Sequence, residues 1–261
     1  MPRCASTSST SMRWADQGIV LATRRHGERA LIVDVLTAKH GRHAGLVRGG
    51  QGPKTRMLYQ IGNQVALTWW ARLAEHLGTF SGELLTGRAA RFIDDRRRLG
   101  CLAAAAAIVA STLPEREPHQ RFYEQMVGLL DGLGRDDYAA RYVRLELDLL
   151  AELGYGLDLS RCAATGTRGD LAYVSPRSGQ AVSTAAAAPY RERLLPLPRF
   201  LLEAAAIPSR AEVLDGLRLT GFFLDRRVFH PNGRKPPAAR TRFVDLLSRT
   251  GTLATQRIES A

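Results

Sequence analysis

Six cations cluster at the turns and strand ends of the first third of the chain: Arg24, Arg25, Arg42, Arg48, Lys54 and Arg56. Guanidinium and ammonium groups in such positions neutralise phosphate oxygens and set register without reading base sequence. Between Met12 and Ala90 there are eleven Lys or Arg against five acids, a net of +6. A small domain with that balance attracts a polyanion, and nucleic acid is the commonest one.

Other chemistry finds no footing. His26, His40, His43, His76, His119 and His230 are scattered, without the spacing of a metal-binding helix. His40 and His43 flank a turn in the basic region and are expected to face solvent or phosphate. Asp94-Asp95 and Asp136-Asp137 precede helical patterns, where acids cap. Gly49-Gly-Gln-Gly-Pro-Lys-Thr-Arg56 is a near miss to a phosphate-binding loop. Such a loop points backbone N–H groups at phosphate, and Pro53 has none. A mobile basic loop is expected there instead of nucleotide hydrolysis. No catalytic residue, metal ligand or cofactor is assigned, and the chain reads as a binding protein rather than an enzyme.

These cations need a rigid support. Short apolar runs at Gly18–Ala22, Leu31–Thr37, Leu46-Val47, Gln64–Ala71 and His76–Leu85 are broken by glycine turns. Five strands so spaced predict a small closed barrel of the OB type. In Trp69-Trp70 the period of two sends one ring to the core and the other outward, so at most one is on a binding face. Trp14 reads as structural. From Asp94 the period becomes helical: Leu99 to Leu113, Phe122 to Leu133, and Tyr138 to Leu153 with Asp136 or Asp137 as its cap. Ser209-Arg-Ala-Glu212 is a capping box opening a helix that runs to Val228. Arg226 and Arg227 sit at its end, read as helix-end electrostatics ahead of a second DNA contact. A short helix is expected at Thr241 to Ser248.

The chain of 261 residues has net charge +12 and pI ≈ 10.4. No stretch reaches the ~18–20 apolar residues of a membrane span, and the N-terminus lacks an apolar signal core. Cys4, Cys101 and Cys162 form no disulfide framework, which places the chain in a reducing cytosol. The fold class is α+β. Its divisions are a disordered tail at 1–11, an OB-fold domain at 12–90, an α-helical domain at 91–250 with an irregular insert at 158–183, and a flexible tail at 251–261.

The run from Met12-Arg-Trp-Ala-Asp-Gln-Gly-Ile-Val-Leu through Arg25-His-Gly-Glu and Thr37-Ala-Lys-His-Gly-Arg-His-Ala-Gly-Leu-Val-Arg-Gly-Gly resembles the N-terminus of the RecO family. The likeness continues at Trp69, His76-Leu-Gly, Leu149-Leu-Ala-Glu-Leu-Gly-Tyr-Gly-Leu-Asp and Leu171-Ala-Tyr-Val-Ser-Pro, spanning Met12 to about Arg249. Because the pattern begins at Met12, that residue stands beside Met1 as a candidate start. The resemblance implies a bacterial recombination mediator in DNA repair, cytoplasmic and nucleoid-associated. It would bind single- and double-stranded DNA, anneal complementary strands and, with RecR, help RecA load onto DNA coated by single-strand-binding protein. No cofactor is consumed in those steps. Two readings of another class stand beside it: an OB-fold RNA-binding protein of translation or rRNA processing, and a protein adaptor with no direct nucleic-acid role.

Many RecO proteins carry a zinc ribbon where this insert falls. Here Cys162 stands at the first ligand position, Thr165 replaces its partner, and no cysteine follows. Tetrahedral zinc needs four N or S ligands, so the insert is expected to be a degenerate ribbon without metal. The resemblance also implies docking of the acidic, apolar-ended C-terminal tail of single-strand-binding protein on the helical domain, with Arg121, Arg141 and Arg144 as candidate cations.

Overall fold

The computed structural model describes residues 12–203 and 205–249. The tails expected at 1–11 and 251–261 lie outside the described residues, as does Cys4. The described residues form two compact units, residues 12–91 with Pro114–Tyr123, and Phe92–Leu113 with the chain from Glu124 onward. The expected division near residue 90 therefore needs one change, because residues 114–123 pack with the first unit.

The first unit is an OB-type barrel: β1 Met12–His26, β2 Ala30–Thr37, β3 Gly41–Val47, β4 Gln64–Ala71 and β5 Thr79–Thr86. The strands close in the order β1-β2-β3-β5-β4. β1 is far longer than its apolar run because it serves two neighbours. Its first half pairs with β4 and its second half with β2, with a bulge between Val20 and Ala22. β3 and β5 pair in parallel at Leu46 and Thr79, completing the barrel. Inside lie Val20, Val33, Val35, Val65, Leu67, Trp69 and Phe80, each aliphatic worth about 1.5–3 kcal/mol of burial. Gly45 is required: a Cβ there would stand 2.5 Å from the Phe80 ring.

Between β3 and β4, Pro53–Leu58 forms a short helix, α1, where a mobile loop was expected. Proline tolerates the first helical turn because its missing N–H has no partner there anyway. One of the two histidines differs from expectation. His43 is buried, and its ring lies 4.8 Å from Trp69 and 5.1 Å from Trp14. His40 lies in the turn before β3 with a third of its side chain exposed, where it stacks on Trp14 at 4.0 Å and its Nδ1 meets Asp16 Oδ2 at 3.2 Å.

The second unit holds most of the helices: α2 Arg96–Thr112, α3 Gln120–Asp131 (the division between units falls within it), α4 Tyr138–Glu152, α5 Thr184–Ala187, α6 Arg210–Phe223 and α7 Ala238–Ser248. The Asp95 carboxylate caps α2 by accepting from the Arg97 and Arg98 amides. Asp137 occupies the cap position of α4, but its carboxylate accepts from Arg135 and Arg141 and makes no cap bond. Ser209 and Glu212 complete the expected capping box. α6 gives way to π-turns at Leu224–Phe229, short of an α-helix to Val228. Arg227 there donates to the carbonyls of Tyr155 and Ser178 and lies over the Phe223 ring. It pins the helix end to the insert, which neither expected role described.

The insert supplies β6 Leu171–Val174 and β7 Ala181–Ser183 to a small sheet that β8 Leu195–Pro196, beyond the insert, completes in the order β7-β6-β8. At the centre of the helices Arg240 forms a two-pronged bond to the fully buried Glu146, 2.6 Å from Oε1 and 2.8 Å from Oε2. Thr220 donates to the same carboxylate, so the pair ties α4, α6 and α7 together.

Candidate nucleic-acid interface

Strand register gathers cations along one rim of the barrel. Arg13 pairs with Trp70, Trp70 with Thr79, and Thr79 with Leu46. On the other side of β3, Val47 pairs with Leu31 and Leu31 with Arg25. Arg48 follows directly after β3, between the two series. Arg13, Arg25 and Arg48 are all exposed. Gln51 Nε2 donates to the Gly27 carbonyl at 3.0 Å, which ties the β3–α1 connection to the β1–β2 turn. α1 then presents Lys54 and Arg56, also exposed.

Two clefts open along this rim. Arg25 and Arg56 line one of about 350 Å³ together with Tyr59, Gln60 and Ile61. Arg13 and Arg48 line the other, about 310 Å³, with Trp70, Thr68, Thr79 and Ser81. Adjacent Trp69 and Trp70 divide as period two requires, at 1% and 44% exposure. Among the described residues, Arg13, Arg25, Arg48, Lys54 and Arg56 form no ion pair, so their charge is available to a ligand.

Arg24 and Arg42 lie elsewhere. They line a third cleft that also holds Asp34 and Glu115. Arg42 donates to Asp34 at 2.6 Å and sits 3.2 Å from Glu115, with its side chain 16% exposed. Its guanidinium is committed to holding β2, β3 and residue 115 together. A phosphate would have to displace two carboxylates, so Arg42 fits a structural role better than the contact expected of it. Arg24 is exposed beside this acidic pair.

Two family descriptions match the chain: Recombination protein O N terminal at residues 12–88, and Recombination protein O C terminal at 93–236. The chain belongs to the RecO family. It is 51% identical over 245 residues to the DNA repair protein RecO of Rhodospirillum rubrum, covering 91% of this chain and 97% of that one. The protein of the same name from Rhodospirillum centenum is 51% identical over 236 residues, 90% and 94% of the two chains. That of Methylocella silvestris is 48% identical over 235 residues, 89% and 95%.

In this RecO chain the insert does not fit zinc. Cys162 Sγ accepts from the Ser183 amide at 3.3 Å and from the Ser183 hydroxyl at 3.4 Å. Hydrogen bonds from the Ser183 and Thr165 hydroxyls and the Ser183 amide hold its thiol down at about 6. One sulfur among hydroxyls is not a tetrahedral zinc set, and among the described residues no group of three or more His, Cys, Asp or Glu is placed to hold a metal ion. Nor is any described helix long and apolar enough to cross a membrane.

The three arginines considered for a protein partner are divided between the two units. Arg121 is exposed and belongs to the first unit. In the second unit, Arg141 pairs with Asp137 at 3.0 Å, and Arg144 donates to the Phe200 carbonyl at 2.8 Å and lies over the Phe200 ring. Sequence reasoning missed Arg13 and left open which of Trp69 and Trp70 faces outward. Only the β1–β4 register puts Arg13 beside Trp70, and nothing in the local sequence carries that pairing.

Proposed function

We propose that the protein is a DNA-repair mediator that binds DNA on the rim of its OB barrel. The observation that carries this is the set of five uncommitted cations, Arg13, Arg25, Arg48, Lys54 and Arg56, along one rim beside an outward tryptophan. A strip of fixed cations replaces condensed counterions on the DNA backbone, and their release drives binding. Two complementary strands repel each other until such a surface lowers their charge, which is how annealing follows from the same residues. No step of this mechanism needs a bond made or broken by the protein.

The test is fluorescence anisotropy with labelled single- and double-stranded oligonucleotides across a salt series. Replacing Arg25, Arg48, Lys54 and Arg56 by Ala together should weaken binding to all sequences and flatten the salt slope by about one for each phosphate no longer neutralised. A folded variant with wild-type affinity and slope would rule the rim out. Competition by structured RNA at equal strength would favour the RNA-binding reading instead.

Beyond DNA, this reading takes RecR, RecA acting indirectly, and the tail of single-strand-binding protein as partners. An acidic tail with an apolar end needs an apolar groove rimmed by cations. The second unit has a groove of about 760 Å³ lined by Leu159, Leu171, Leu197 and Leu202 with Arg168 and Arg199, and Asp170 and Glu203 line it too. Arg199 pairs with Glu203 at 3.3 Å, so Arg168 is the cation that supports this docking reading. Titration of the full chain with a labelled tail peptide tests this. Salt-sensitive binding that disappears when the peptide's last residue is removed is the expected result, and no binding would overturn it.

A further inference from the structure

The outward surface of β1, β4 and β5 beside Trp70 is built from two rows in register. One row is Arg13, Trp70 and Thr79, and the next is Ala15, Thr68 and Ser81. The second row is small throughout, so it forms a floor, and the Trp70 indole rises beside it as a wall. Thr68, Thr79 and Ser81 add hydroxyls to the floor. Arg13 and Arg48 flank the cleft, and no acid lines it. An isolated exposed tryptophan needs no explanation. An indole standing over a step of small side chains, between two arginines free of ion pairs among the described residues, has the shape and charge of a stacking platform.

We propose that this cleft is a stacking subsite for one unpaired base of single-stranded DNA, with the base on Trp70 and the adjoining phosphates against Arg13 and Arg48. The assignment rests on the DNA-binding reading above and adds a division of labour to it. A base within a duplex is stacked on both faces and has no surface to offer an indole, whereas an unpaired base has one. The Trp70 cleft therefore serves single strands. The rim at Arg25, Lys54 and Arg56, which has phosphate-binding cations but no exposed aromatic ring, serves either form. Trp14 and Trp69 cannot substitute, since Trp69 is buried in the barrel core and the half-buried Trp14 ring is already stacked on His40 and Trp69.

The experiment uses the full chain with oligo(dT) and with a duplex of equal length, in a salt series, comparing wild type with Trp70→Ala, Trp70→Phe and Arg13→Ala. Trp70→Ala should weaken oligo(dT) binding about 5- to 150-fold, the range for removal of one base–aromatic stack, while duplex affinity stays within about two-fold. Its salt slope should be unchanged, because stacking releases no counterions. Arg13→Ala should instead flatten the slope by about 0.7. Trp70→Phe should retain most of the oligo(dT) affinity and lack the tryptophan quenching that oligo(dT) produces in the wild type. Wild-type binding and quenching by Trp70→Ala would overturn the subsite and leave the DNA reading intact, pointing to a protein partner for the cleft. Equal weakening for single strand and duplex would also overturn it. No binding of either DNA by the wild-type chain at low salt would overturn the DNA reading itself.

Discussion

Arg42 Nη1 donates to Asp34 Oδ2 at 2.6 Å, and the carboxyl is still raised to about 6, because burial outweighs the attraction of Arg42. Arg42→Ala would leave that carboxylate partly buried without its partner. The destabilisation should be about 1–3 kcal/mol at pH 7, read by urea unfolding, and smaller at pH 5, where Asp34 is protonated. DNA affinity of the folded variant should stay within about two-fold. A variant of wild-type stability with a flatter salt slope would make Arg42 a phosphate contact after all.

Asp34 and His43 set opposite acid responses in adjacent strands. An acid with a raised folded pKa favours folding while protonated, so the Asp34 contribution is full below about pH 4 and lost as pH rises through about 6. Burial lowers His43 to about 4, helped by Arg116 and His40. Its contribution is full above about 6.5 and lost as pH falls through about 4. Asp34→Asn should therefore make the barrel more acid-labile than wild type between pH 6.5 and 4.5, and His43→Phe less so. Urea midpoints at pH 4.5 and 7 that shift equally in both variants would refute this opposition.

The hydroxyl-lined thiol of the insert predicts a protein purified without a tag to contain well under one zinc per chain. Two changes should install a site. Ser183 Oγ is 3.4 Å from Cys162 Sγ, close to the separation of two thiolates on one tetrahedral zinc at ~2.3 Å each. Thr165→Cys with Ser183→Cys should bind zinc stoichiometrically through three sulfurs and a water. Stoichiometric metal in the unmodified protein, or none in the double variant, would contradict this account.

Glu146 and Arg240 predict a third stability effect. Arg240→Ala strands a fully buried carboxylate and should cost about 3–5 kcal/mol. Replacing both, Glu146→Leu with Arg240→Met, should recover most of that stability. A double variant as unstable as the single one would mean that the pair carries specificity the apolar replacement lacks.

The barrel was legible because its strands are short apolar runs separated by glycines at turns, among them Gly27 and Gly41 with φ of +59° and +66°. That Trp69 and Trp70 face opposite sides followed from strand period alone, but which of them faces inward did not. The first six residues of β1 were not legible, since they alternate without an apolar run and are held by β4 across the sequence. α1 was hidden by the glycines and proline that open it. The commitment of Arg42 to Glu115 is set by tertiary contacts that no local pattern encodes. The same holds for Glu146 and Arg240, and for the burial of His43 against Trp69. The cations were visible as a cluster, but which of them remain uncommitted depended on these distant partners.

The return of residues 114–123 to the barrel has a consequence during synthesis. A ribosome delivers the five strands with the turn at Gly41 and Arg42 still incomplete. The Arg116 amide that bonds the Arg42 carbonyl at 2.8 Å, and the Glu115 carboxylate beside the Arg42 guanidinium, emerge only after the whole of α2. At about 5–20 residues per second, the nascent barrel waits seconds for its last strap. Neither unit is one continuous stretch of the gene, so no single crossover between relatives exchanges a unit whole, and one placed in α2 would separate Arg42 from Glu115.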